Sequence, residues 1–92
     1  MGLRMSWQVW SVASAGEEVP DVESAAAALD RSVRRIRERV VTGPEGRNLS
    51  ESARLMRSRI LDEGRAAVIR GERWSATVGE IDVTLSPLDE GF

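Results

Sequence analysis

The chain has 92 residues, 41% of them hydrophobic and 30% charged, with a net charge of −2. That size suits one small domain with a modest core. The absence of Cys and His removes disulfides, thiolate chemistry, and the commonest metal ligand and general base.

Tyr and Lys are also absent, so all thirteen basic residues are Arg. GC-rich codon usage, as in a high-GC bacterium or its phage, gives the plain explanation. Selective use of guanidinium for carboxylate or phosphate gives a sharper one. Charge is blocked along the chain. Residues 1–30 carry one Arg and five acids, residues 31–73 twelve Arg and six acids, and residues 74–92 four acids. A basic middle lies between acidic ends. Those ends either neutralise the middle within the fold or leave it as a separate face. "MGLRMS" fits a short myristoylation pattern, one that a bacterial origin makes irrelevant. The serines and Gln8 make the N-terminal stretch a poor secretion signal, and no apolar run has the length of a bilayer span, so a cytoplasmic protein is expected.

"MSWQVWSVA" (5–13) reads as a strand with Trp7 and Val9 on one face and Trp10 and Val12 on the other. Such a strand is apolar on both faces, so a central position or a partner is implied. "SAGEEV" reads as a loop. A helix follows over 21–42, with Asp21 as N-cap and Glu23 near the positive end of the dipole. Val22, Ala26, Leu29, Val33, Ile36 and Val40 form its apolar seam. Gly43-Pro44 stops it.

"PEGRN" reads as a turn, and Asn48 with Glu51 as a capping box. The second helix is placed over 48–70, with Leu49, Ala53, Met56 and Ile60 as its seam. Residues 65–70 leave two readings open. In one, the helix runs on through Gly64 with Gly64 and Ala67 on the seam. In the other, Gly64 ends the helix and "RAAVIR" is a strand. The long helix leaves Leu55 and Ile69 opposite the seam. Over 73–86 a β-hairpin alternates cleanly about Gly79-Glu80. Val78 faces Ile81, Ala76 faces Val83 and Trp74 faces Leu85. Residues 87–92 form a tail.

The expected fold is a single α+β domain over 1–92. An antiparallel sheet, made of the N-terminal strand and the C-terminal hairpin, packs on an antiparallel helical hairpin in the order β-α-α-β-β.

Candidates for chemistry are few. Nucleophiles reduce to Ser, Thr or carboxylate, and bases to Asp or Glu. "TGPEGRNLS" lacks the spacing and lysine of a phosphate-binding loop. The carboxylate pairs Glu17-Glu18, Asp62-Glu63 and Asp89-Glu90 are adjacent in sequence, which on a helix splays them by about 100° and makes a poor metal clamp. No catalytic residue, metal ligand, cofactor or small-molecule substrate is assigned. What stands out is "DRSVRRIRERVV" (30–41). Measured from the first seam, Arg31, Arg35 and Arg39 fall about 180°, 140° and 100° away on one side, and Arg34 and Arg37 about 120° and 60° on the other. Pairs Asp30–Arg34 and Arg35–Glu38 would lace this face as solvated surface. Arg31, Arg35 and Arg39 are like charges one turn apart, suited to an anionic partner.

The expectation is a non-enzymatic protein-interaction, adaptor or regulatory module that self-associates. Trp10, Val12 and Leu55 supply its apolar contact, and Arg31, Arg35 and Arg39 its anionic-partner contact. The alternative is a nucleic-acid-binding regulator using the arginine face. Against it stand the net negative charge and the lack of aromatics among the arginines.

Overall fold

In the computed structural model, residues 2–9, 13–39 and 44–88 are described. Four strands form one antiparallel sheet in the order β2-β1-β4-β3, with β1 Leu3–Val9, β2 Ala13–Val19, β3 Trp74–Val78 and β4 Ile81–Pro87. The helical layer comprises α1 Val22–Arg39, α2 Pro44–Arg59, a π-helical turn Ile60–Gly64 and α3 Arg65–Ile69. The fold is therefore α+β, with an antiparallel sheet packed on an antiparallel helical hairpin, as expected.

Strand β1 is placed by its alternation. Leu3, Met5, Trp7 and Val9 are buried, while Arg4, Ser6 and Gln8 are exposed. This corrects the bounds of the 5–13 strand: the described strand starts earlier, Ala13 belongs to the next one, and Arg4, Ser6 and Gln8 make the second face of Leu3–Val9 polar. Trp10 and Val12 lie outside the described residues. β1 sits between β2 and β4, pairing Trp7 with Ala15 on one side and with Val83 on the other. The two chain ends thus meet at the sheet centre, where the Leu88 N–H donates to the Gly2 carbonyl at 2.9 Å.

Strand β2 replaces the expected loop "SAGEEV", so the N-terminal part is a hairpin rather than one strand. Its residues are small or acidic, and from Ser14 to Glu18 all are exposed. Nothing in that composition resembles a half-buried strand. The strand exists because β1 offers it an edge to pair with, from Leu3↔Val19 to Val9↔Ala13.

Helix α1 follows its seam. Val22, Ala26, Leu29, Val33 and Ile36 are buried, joined by Ala25 and Ala28. Val40 lies outside the described residues. Asp21 caps the helix, accepting from the Ser24 N–H at 2.8 Å.

Helix α2 begins at Pro44, not at Asn48. Proline is well suited to the first helical position, where its fixed φ fits and its missing N–H is not needed. The expected "PEGRN" turn and Asn48 capping box are corrected accordingly. Leu49, Ala53, Met56 and Ile60 are buried as the seam requires.

Of the two readings for 65–70, the helical one holds. The helix passes Gly64 through the π turn, where the Arg65 N–H reaches the Ile60 carbonyl. Five residues per hydrogen-bonded step take up the slack of the 4, 4 spacing Met56–Ile60–Gly64 region and return Gly64 and Ala67 to the buried side. Close packing explains the glycine: a Cβ at Gly64 would lie 3.2 Å from Leu85 Cδ1 and 3.3 Å from Trp74 Cε3.

The hairpin register is the one read from the sequence, with Val78↔Ile81, Ala76↔Val83 and Trp74↔Leu85. Gly79 supplies the positive φ (58°) that the turn needs. Ile81, Val83 and Leu85 are buried under the helices. Pro87 is the last residue of β4 rather than the first of a tail, and residues 89–92 lie outside the described residues.

Candidate binding surfaces

Two sides of the molecule differ in character. The outer sheet face carries Arg4, Ser6 and Gln8 on β1, with Ser86, Thr84 and Asp82 opposite them on β4. Glu18 and Ser14 stand opposite Arg4 and Gln8 on β2, and Ser75 and Thr77 flank β4 on the far side. It is polar, small-chained and nearly neutral. The helical layer is basic. Helical spacing and burial leave Arg31, Arg34 and Arg35 of α1 and Arg54 and Arg57 of α2 exposed.

Acidic residues of the first thirty neutralise this layer only in part. Asp30 pairs with Arg57 across the two helices at 3.5 Å, and Glu23 pairs with Arg65 at 2.6 Å. Glu63 holds Arg59 at 3.1 Å and Glu72 holds Arg70 at 2.7 Å. Asp30 was expected to lace Arg34 along its own helix. It instead reaches the neighbouring helix, because α2 packs on the side of α1 to which Asp30 points. All four are exposed pairs, each worth at most about 1 kcal/mol. Among the described residues, Arg31, Arg34, Arg35 and Arg54 have no carboxylate partner.

The carboxylate of Asp21 is held below its usual value. The hydrogen bond from the Ser24 N–H comes first and that from the Ser24 side chain second; the Arg65 charge adds to them, against a small opposing effect of burial. An ionised cap at this end also suits the positive end of the α1 dipole.

Among the described residues, three depressions bear on the question. One, of about 230 Å³, runs between α1 and α2 and is lined by Asp30, Val33, Arg34, Ser50, Ala53, Arg54 and Arg57. A second, of about 390 Å³, lies where α2 meets the β3–β4 turn, with Leu49, Ser52, Leu55, Val78 and Gly79 around it. The third, of about 250 Å³, is the most apolar. It lies between Leu3 of β1, Pro20 and Val22 at the start of α1, and Val68 and Ile69 of α3, with Glu23 and Arg65 at its rim.

The predicted contact residues do not converge. Leu55 is exposed (59%), on the flank of α2 that turns to the hairpin. Arg31 and Arg35 are exposed on the outward side of α1. Arg39 is the last residue of α1, and its side chain lies outside the described residues, as do Trp10 and Val12 altogether. Trp7 faces the core at 9% exposure, so Trp7→Ala probes packing rather than assembly. Two features were missed. Ile69 is the most exposed large aliphatic side chain described, at 78%, and its signal was its place opposite the seam. The α1–α2 groove needed the packing direction of the helices, which one sequence does not give.

Among the described residues no helix is long and apolar enough to cross a membrane, and no three acidic side chains cluster as a metal site. Glu17 and Glu18 point to opposite faces of β2. Compared with protein-family models, curated proteins and solved structures, the chain matches none.

Proposed function

We propose that this chain is a non-enzymatic protein-interaction module that works as an adaptor or regulatory subunit and associates with a second copy of itself through the α3 end of its helical layer. One observation carries the reading. Ile69, 78% exposed, projects from the wall of an apolar hollow that it lines together with Leu3, Val22 and Val68. Knob and hollow on one surface are what a two-fold contact needs, since each copy then fills the other's hollow. The Glu23–Arg65 pair, at 2.6 Å, lies at the rim of the same hollow. A contact built on one projecting side chain and one hollow is expected to be weak, in the micromolar to millimolar range. Sedimentation equilibrium tests it. Ile69→Asp lowers the association constant without unfolding the chain, because the site is already exposed.

A second reading, nucleic-acid binding, is favoured by the exposed arginines Arg31, Arg34, Arg35 and Arg54 that lack carboxylate partners. It requires duplex or single-strand binding that weakens steeply with salt and depends on Arg31, Arg35 and Arg39.

A further inference from the structure

The groove between α1 and α2 combines features that the apolar hollow lacks. Its floor is Val33 and Ala53, both buried. Arg34 lines it from α1, and Arg54 and Arg57 line it from α2, one turn apart. Asp30 is the one acid among the described residues lining it, and it is already engaged by Arg57 at 3.5 Å. Three guanidinium groups against one carboxylate leave a formal excess of two positive charges over an apolar floor. Neighbouring cations drawn together in this way repel one another until an anion separates them. Guanidinium presents a planar fork of N–H donors that matches tetrahedral oxyanions, and donors on two helices approach such a group from different sides.

We infer that the α1–α2 groove binds a small phosphate monoester, with Arg34 and Arg54 donating to its oxygens and Arg57 shared between the ligand and Asp30. The excess charge favours a monoester over a carboxylate or a diester. At neutral pH a monoester carries about −1.5 to −2, whereas the others carry a single charge. A volume of about 230 Å³ admits the phosphate together with a small substituent. The row Arg31 and Arg35, on the outward side of α1, takes no part, so this site and a polyanion surface are separable. The inference stands apart from the proposed self-association, which uses the α3 end of the molecule.

The test is a titration of the full chain with phenyl phosphate at low ionic strength, followed by amide signals of residues 30–34 and 50–57 that flank the groove. Saturable binding is expected. Arg34→Ala with Arg54→Ala weakens it by about tenfold or more, since two charge-assisted hydrogen bonds are lost. Arg31→Ala with Arg35→Ala leaves it at the wild-type value. Asp30→Asn releases Arg57 from its competing carboxylate and tightens binding roughly threefold; a gain of that kind cannot come from misfolding. Dimethyl phosphate, a single negative charge, binds more weakly than phenyl phosphate. The inference is overturned by titrations that never saturate, by equal loss in the two arginine pairs, or by dimethyl phosphate binding as well as the monoester. Binding of a single-stranded oligonucleotide without any binding of phenyl phosphate also overturns it.

Discussion

At the scale of single residues, Asp21 sets how the start of α1 responds to acid. Its carboxyl titrates lower in the folded chain than in the unfolded one, mainly because it accepts the Ser24 N–H. A depressed folded pKa means the ionised form favours the fold above the unfolded pKa, and that contribution disappears as pH falls through the folded pKa. In thermal melts from neutral pH downward, Asp21→Asn keeps a capping oxygen but flattens the loss of stability on the acid side. An unchanged acid limb would mean that the cap charge contributes nothing. Gly64 argues in a different way. In an exposed helix, Gly→Ala adds about 1 kcal/mol of stability. Here the added methyl would sit 3.2 Å from Leu85 Cδ1 and 3.3 Å from Trp74 Cε3. Gly64→Ala is therefore expected to lower stability by about 1 kcal/mol, the typical cost of overpacking. Stabilisation in urea titration would show that the sheet yields freely there.

Whole elements differ in how far the sequence specifies them. The seams of α1 and α2 and the alternation of β3 and β4 were legible because burial on one side leaves a period, 3.6 or 2, in the residues themselves. The hairpin register followed from the same rule, down to Trp74 opposite Leu85. Strand β2 left no such trace. Only Val19 of its described side chains is buried, and Ala, Ser, Gly and Glu make a poor strand by composition. Its pairing is imposed by β1, a tertiary effect. The start of α2 was misplaced for a related reason: Pro44 opens a helix, yet the pattern "PEGRN" reads as a turn by composition. Strands β1 and β4 are central and β2 is an edge with an exposed face on either side. Amide hydrogen exchange should accordingly open β2 well before β1 and β4. Equal protection across the sheet would show that β2 is held by more than its pairing to β1.

For the whole molecule, the charge blocks of the sequence become two layers. The basic middle forms α1 to α3, and Glu17, Glu18, Glu80 and Asp82 sit on the sheet and its turns. Of the two outcomes left open by the sequence, partial neutralisation is the finding: Asp30 reaches Arg57 of α2, Glu23 reaches Arg65 of α3, and Arg31, Arg34, Arg35 and Arg54 are exposed. That arrangement explains why the candidate site was harder to read than the fold. A period identifies which residues turn inward, but the outward ones acquire meaning only from what stands next to them. Arg34 is far in sequence from Arg54 and Arg57 and shares a groove with them because the helices are antiparallel. Ile69 and Leu3 share a hollow because the end of α3 returns to the start of β1.

Self-association through that hollow is the central claim, and sedimentation equilibrium of the 10.1 kDa chain from micromolar to millimolar concentration tests it most directly. The account predicts an average mass that rises towards twice the single-chain value as concentration increases, and a rise that Ile69→Asp suppresses while Arg31→Ala does not. A single-chain mass at every concentration would contradict it, as would a rise that Ile69→Asp leaves intact.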